Sequence, residues 1–504
     1  MDGERSASVA LLGNPGLAYA EPRLMASSTL LSALALLEVA YVVALGAWIL
    51  LEKRSPVATL AWLLALVALP GVGFVVYFFL GPRRLRRRRL KRLRASQAAL
   101  KPDARPALSP SDGVARDVVR VAQRAGGARL SVAESVAIFT DGAATFDAIV
   151  TAIGQARDHV HVLYYIFEND STGTRIRDAL VERARAGVHV RVLVDGVGSV
   201  GATLTKRFMK PLTDAGAKVA VFNRPRLFGL GGRVLNFRNH RKIVVVDGNV
   251  GFTGGVNVTD DENGAVNKHP WRDTHARLTG PCVTWLQVVF LEDWCYATGG
   301  SPSHDARPAF FPHDDATLAS TAGPLVQILE SGPDRDHQVI RTATFAAING
   351  AASRILVTSA YFVPDEPMLL ALKAAAMRGV DVRVLVPAES DSRVAAAAAR
   401  SYYDELLRAG VLLYEYGPPM LHAKTLVVDD ALAFVGTANL DNRSFRLNFE
   451  VTALILDAAT NEALSAAFQN DLSHSRAITK DARARLRLTE RLAEALARLL
   501  SPVL

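Results

Sequence analysis

The stretches GVHVRVLV (residues 187–194) and GVDVRVLV (379–386) differ at a single position and decide the fold. Each alternates β-branched residues with few breaks, the mark of a strand buried on both faces. Each follows a helical stretch ended by its own glycine: Arg175–Ala186 before Gly187, and Met368–Arg378 before Gly379. Upstream of these helices lie two further strand-like runs, HVHVLYYIF from His159 and RILVTSAYF from Arg354. Downstream, Asp214-Ala-Gly-Ala and Arg408-Ala-Gly-Val each lead into another strand. Strand, helix, strand recurs at an offset of roughly 190 residues, which predicts a duplicated α/β architecture. The halves are expected at 126–310 and 311–504, joined through the loop-like stretch 301–323.

Matching places in the two halves carry a second repeat. The first is HRKIVVVD (240–247), then six residues, then GGVN (254–257). The second is HAKTLVVD (422–429), then six residues, then GTAN (436–439). Both read H-x-K-x4-D-x6-G-x-x-N. On a strand, residues i and i+2 share a face, so His240 should sit beside Lys242, and His422 beside Lys424. The glycine turn should bring Asn257 or Asn439 back toward the same point. Two such sets about a pseudo-twofold axis would surround one phosphate. Lysines and amides would offset the charge of a phosphodiester, one histidine could attack phosphorus, and the other could carry the proton. Asp273 and Glu450, on strands following the motifs, are the candidates to orient the imidazoles. Asp247 and Asp429, five residues past the lysines, read on spacing alone as turn-holding residues. No metal or cofactor is expected, because the lysines carry the charge.

The N-terminal region is of another kind. Leu24–Leu51 is apolar but for Glu38 and small polar residues, and Val57–Leu80 contains no charge. Both have the length of a membrane helix, and the connector 52–56 suits a hairpin. The segments are expected as a tail (1–23), a transmembrane helical hairpin (24–82), and a basic juxtamembrane segment with linker (83–125). Nine basic residues and no acid lie between Arg83 and Arg94, out of a net charge of +9 for the chain. That run places the remainder of the chain on the cytoplasmic side of a cell membrane crossed twice, and it suits anionic headgroups. Outside the run the charge is close to neutral, so the basic balance does not point to nucleic acid. The two cysteines, Cys282 and Cys295, form no metal-type spacing and read as idle buried thiols. Near the C-terminus, Leu488, Leu492, Leu496 and Leu499 recur at helical spacing among arginines. Such a stripe reads first as packing on its own domain and second as an interfacial helix.

The paired motifs resemble the duplicated HKD signature of the phospholipase D superfamily. The run Gly436–Glu450 (GTANLDNRSFRLNFE), the segment SAYFVPD from Ser359 and the helix start PVATLAW from Pro56 are most similar to bacterial cardiolipin synthases. The resemblance implies two phospholipase D-like halves packed with pseudo-twofold symmetry behind the membrane hairpin. It also implies transfer of a phosphatidyl group between two phosphatidylglycerol molecules, with release of glycerol and a phosphohistidine intermediate. His240, Lys242, Asp247, His422, Lys424 and Asp429 are then the catalytic signature. Gly255, Asn257, Thr437 and Asn439 would meet substrate, and the family's usual order makes His240 the nucleophile. Gly255 stands where that family often has serine, which removes one hydroxyl from the first half-site. Hydrolysis with water as acceptor, transfer to another alcohol, and nucleic-acid cleavage are the other reactions that such half-sites support.

Overall fold

The computed structural model describes residues 22–51, 56–68, 110, 113–204, 207–224, 237–301, 307–313, 323–335, 337–502 and 504. The chain divides into two compact units, Met1–Gly81 and Pro82–Leu504. In the first, helices span Pro22–Leu51 and Pro56–Ala68. Many of their apolar side chains are open, including Leu36, Val43, Trp48 and Leu64. Among the described residues, no helix is long and apolar enough to cross a membrane. Residues 1–21 of the expected tail, 52–55 of the hairpin connector, residues 69–82 and the basic run 83–94 lie outside the described residues, while residues 22, 23 and 56 already belong to the helices.

Among its described residues the second unit holds eighteen strands: β1 (Ser131–Val132), β2 (Ser135–Phe139), β3 (His159–Tyr164), β4 (His189–Asp195), β5 (Lys218–Phe222), β6 (Ile243–Val246), β7 (Val250–Gly254), β8 (His275–Thr279), β9 (Leu325–Ser331), β10 (Arg354–Ser359), β11 (Phe362–Val363), β12 (Asp381–Pro387), β13 (Leu412–Tyr416), β14 (Lys424–Val428), β15 (Leu432–Gly436), β16 (Leu440–Asp441), β17 (Glu450–Leu456) and β18 (Ser475–Ile478). One sheet runs β2-β8-β7-β6-β3-β4-β5; the other runs β1-β9-β17-β15-β14-β10-β12-β13-β18. Without its edge strands β1 and β18, the larger sheet repeats the smaller one position for position. β3 and β4 pair in parallel, as do β10 and β12, while β6 and β14 run antiparallel to β3 and β10. The duplication read from sequence is therefore a duplication of topology.

Strand alternation sorts the core into layers. Val160, Val162, Val192, Val194, Val244 and Val246 face the outer helices of the first half. Their neighbours Leu163, Leu193, Ile243 and Val245 face inward, where they join Leu356, Leu385, Val427 and Val451 of the second sheet. The helix Val283–Thr298 lies in this shared layer, with twelve of its residues buried. The two halves thus share one core.

Two sequence readings change here. The end of the supposed linker, Gly113–Arg124, is a helix whose Val118, Val119 and Ala122 are buried against Val339, Ala343 and Ala347. Its apolar stripe is short and lies among arginines, so composition hid it. The C-terminal helix Leu488–Arg498 does not turn its leucines to the protein: Glu494 and Ala497 are buried, and Leu488 is 72% exposed.

Candidate active site

The two motif segments meet because the halves are stitched crosswise. His240 N donates to Phe449 O at 2.9 Å, and Phe449 N donates to Arg238 O at 2.9 Å. In the mirror relation, His422 N donates to Arg272 O at 2.7 Å and Arg272 N donates to Met420 O at 2.9 Å. These isolated bridges bring the residue after Phe449 and the residue after Arg272 to the opposite half's histidine. Glu450 Oε2 lies 3.0 Å from His240 Nδ1, and Asp273 Oδ2 lies 2.6 Å from His422 Nδ1. Each imidazole is therefore oriented by a carboxylate from the other half. Binding at Nδ1 leaves Nε2 of both rings for chemistry.

The lysines fold back on the same segments. Lys242 Nζ donates to His240 O at 3.0 Å, and Lys424 Nζ donates to His422 O. Lys424 Nζ also lies 3.5 Å from Asp273 Oδ2. Aromatic rings line the histidines: Tyr165 lies edge-on to His240 at 4.9 Å, and Trp271 lies 5.3 Å from His422.

The electrostatics are those of a buried cationic site. Burial and then the neighbouring Lys424 ammonium bring Lys242 down to about 7. Burial lowers Lys424 too, against the pull of Asp273 and Glu262. Burial lowers His240 against the pull of Glu450, and burial with Lys424 brings His422 to about 4. Burial opposes ionisation of Asp273, yet Lys424 and His422 bring it to about 2. The two ammonium groups repel each other, and a phosphodiester monoanion bound between them would relieve that repulsion.

The remaining expected residues divide. Asp247 and Asp429 make no contact with either motif's histidine or lysine; their carboxylates hold backbone at turns instead. Asp247 accepts from the backbone N–H groups of Arg157, Asp158 and His159 at 2.8–2.9 Å. Asp429 does the same for Ala352, Ser353 and Arg354 at 2.8–3.0 Å. Both are turn residues at φ near +50°, at the strand end roughly 15 Å from the lysines by strand rise. Spacing alone read them correctly. Thr437 and Gly255 also serve the carboxylates. Thr437 Oγ1 donates to Glu450 Oε2 at 2.5 Å. At position 255 a Cβ would overlap the Asp273 carboxylate. The glycine thus makes room for the shorter acid, and the missing serine hydroxyl does not read as a lost phosphate contact. Asn439 Oδ1 accepts from Tyr361 N at 3.3 Å, and Asn257 Nδ2 donates to Glu262 Oε1 at 2.8 Å.

Two contributors escaped the sequence reading. Glu262, five residues past Asn257, is fully buried with Oε1 3.6 Å from His422 Nδ1. Burial and then Asp273 push it up to about 8. Arg241, the middle residue of the first motif, pairs with Asp293 at 2.8 Å and donates to Glu450 O at 3.1 Å and Ser331 O at 3.2 Å. It ties the halves beside His240. Among the described residues, Glu262, Asp273 and His422 form the one group with metal-type spacing, their ligand atoms within 4.8 Å of one another. A divalent ion there would compete with the Lys424 ammonium and would take His422 Nδ1 from Asp273.

A family model described as "Cardiolipin synthase, PLD-like domain" matches residues 149–270 and 344–472. One described as "Phospholipase_D-nuclease N-terminal" matches residues 39–82. Cardiolipin synthase 1 of Bacillus anthracis is 39% identical over 470 residues, covering 90% of this chain and 91% of the relative. Cardiolipin synthase of Geobacillus sp. (strain WCH70) is 38% identical and covers 96% of this chain and 95% of its own. The fold is similar to the crystal structure of phosphatidylserine synthase from Haemophilus influenzae, with a TM-score of 0.59, 15% identity, and coverage of 77% of this chain and 100% of that one. Taken with its two crosswise-paired His-x-Lys half-sites, this relatedness along nearly the whole sequence means that the chain belongs to the cardiolipin synthase family of phospholipase D-like proteins.

Proposed function

We propose that the protein is a phosphatidyltransferase that makes cardiolipin from two phosphatidylglycerol molecules. The observation that carries this reading is the crosswise pairing of His240 with Glu450 and His422 with Asp273. It gives two imidazoles, each with Nδ1–H held by a carboxylate, beside two buried ammonium groups. In the first step Nε2 of His240 bonds to phosphorus and the P–O bond to the terminal glycerol breaks. His422 gives its Nε2 proton to that leaving alkoxide. In the second step the terminal hydroxyl of another phosphatidylglycerol attacks phosphorus. Its proton passes to His422 and the N–P bond breaks. Lys242 and Lys424 offset the charge that gathers on the phosphoryl oxygens. One phosphodiester replaces another, so the reaction should run in both directions.

The N-terminal helices are read as a membrane anchor, with the catalytic unit on the cytoplasmic side. The support is the uncharged run Val57–Leu80, the open apolar side chains of the helix Pro22–Leu51 and the arginines of 83–94. The substrate is accordingly a lipid of the same bilayer, and nucleic acid is not expected.

Lipid mass spectrometry of a bacterium lacking its own cardiolipin synthases tests the reading. The wild-type chain should yield cardiolipin, and His240→Ala and His422→Ala should not. Cardiolipin absent with wild type would reject the synthase assignment. Phosphatidic acid as the main product would favour hydrolysis, and consumption of cardiolipin with added glycerol would favour transfer.

A further inference from the structure

The helix Leu488–Arg498 is inverted relative to an ordinary surface helix. Glu494, Ala497 and Ser501 form its buried edge. At about 100° per residue, Leu488, Leu492, Leu496 and Leu499 lie on the opposite side. Their exposures are 72, 53, 64 and 74%. A continuous leucine stripe facing outward from a tightly held helix calls for an apolar partner.

The helix is held firmly. Arg483 pairs with Glu494 at 2.6 Å, and the Arg498 guanidinium lies 4.3 Å from the Tyr402 ring centre. Its C-terminal end is fastened to the segment that follows Asn439. Asn442 Nδ2 donates to Ser501 O at 3.1 Å, and Arg443 N donates to Leu504 O at 2.8 Å. The helix also packs on Arg393–Arg400, which follows the C-terminal end of β12. That is the end of the second sheet where Lys424 pairs with Ser359, so the helix is attached at the end of the sheet that carries the second motif. Val394, at the start of that neighbouring helix, is exposed as well.

Charge selects the partner. Between Arg476 and Arg498 the chain carries seven basic and three acidic residues, and Arg476, Arg483 and Arg498 pair with Glu415, Asp404 and Glu405 outside that segment. Glu490 accepts from Arg487 N and Glu494 is paired with Arg483. Arg485 and Arg487 are exposed, while the Arg491 guanidinium donates to Arg483 O at 3.3 Å and Ala484 O at 3.1 Å. A second copy docked leucine to leucine would offer Arg485 and Arg487 no free carboxylate from its own helix, since Glu490 and Glu494 are already engaged. An anionic lipid surface supplies both the apolar layer and the opposite charge.

We infer that the helix Leu488–Arg498 docks on the membrane, its leucines entering the acyl layer and its arginines meeting anionic headgroups. The inference rests on the reading of the substrate as a membrane lipid. It assigns the helix the role of holding the cleft against the surface from which that lipid is drawn.

The full chain can be tested by placing an environment-sensitive fluorophore on Leu492→Cys. Cys282 and Cys295 are both buried, and burial pushes the Cys282 thiol up to about 12, so the new thiol should label selectively. Asp430→Cys is the control, since this side chain is 97% exposed and sits at the turn on the far end of β14. In vesicles of phosphatidylethanolamine and phosphatidylglycerol carrying an acyl-chain quencher, the fluorophore at 492 should be quenched and that at 430 should not. Absence of quenching at 492 would overturn the inference. So would a blue shift at 492 that needs a second copy and ignores the lipid quencher. Replacing Leu488, Leu492 and Leu496 together by Gln should lower activity on vesicles about tenfold and leave activity on dispersed short-chain phosphatidylglycerol within about twofold. Equal activity of variant and wild type on vesicles would count against the docking role. If wild type has no activity on either substrate, the enzymatic reading fails, and the quenching still decides the helix.

Discussion

Asp273→Asn is the substitution that probes the crosswise site most sharply. The Asp273 carboxylate lies 2.6 Å from His422 Nδ1 and 3.5 Å from Lys424 Nζ, and Lys424 with His422 holds it at about 2 against burial. An amide has nearly the same shape but no charge, and its NH2 would donate to Nδ1. The proton would then sit on Nε2, and the ring could no longer accept one there. The wrong tautomer in a histidine–acid pair costs about 10⁴-fold in turnover, or roughly 5 kcal/mol of barrier. A fall of about 10³- to 10⁴-fold is therefore expected in cardiolipin formation by purified enzyme. Because Asp273 acts through His422, adding His422→Ala should lower the rate little further. Nitrogen-labelled histidine NMR supplies the structural readout. The strongly hydrogen-bonded Nδ1–H of His422 should vanish in Asp273→Asn while that of His240 persists, and Glu450→Gln should reverse the pattern. Near-wild-type turnover, or loss of the His240 signal in Asp273→Asn, would refute the crosswise assignment.

Other perturbations draw on the same geometry. Gly255→Ser should displace the Asp273 carboxylate that the new Cβ would overlap, lowering turnover at least about tenfold by misorienting His422, since small misplacements at a site cost up to about a hundredfold; unchanged kinetics would show that the carboxylate moves freely. Binding of a phosphate analogue should take up protons above neutral pH. Lys242 sits at about 7 beside Lys424, an anion raises it, and so affinity should weaken as pH rises through that value. Calorimetry in buffers of differing ionisation enthalpy reads this directly, and equal heats would contradict it. Asp247→Ala removes a carboxylate that accepts from three backbone N–H groups. It should lower stability by about 2–3 kcal/mol while the folded fraction keeps its turnover, as followed by thermal unfolding beside activity.

Much of this arrangement was legible in the sequence. Runs such as GVHVRVLV announce buried strands because alternation and β-branching are local properties, and their recurrence exposed the duplication. The His-x-Lys spacing places two side chains together through strand geometry alone. The crosswise partners were not legible, because Glu450 follows His240 by some two hundred residues and no local pattern says which half supplies which acid. Glu262 and Arg241 were missed for a related reason: a charge matched by a buried partner looks, in sequence, like any surface charge. The C-terminal leucines show a different limit. Periodicity reveals that a helix has an apolar side, but it does not reveal whether protein or lipid receives it.

A structure of the protein with tungstate or vanadate tests the central claim most directly. One oxyanion should bridge the site, with its central atom bonded to Nε2 of one histidine, Nε2 of the other within hydrogen-bonding distance, and both lysine ammonium groups on its oxygens. Two separate anions, one at each histidine, would contradict the account.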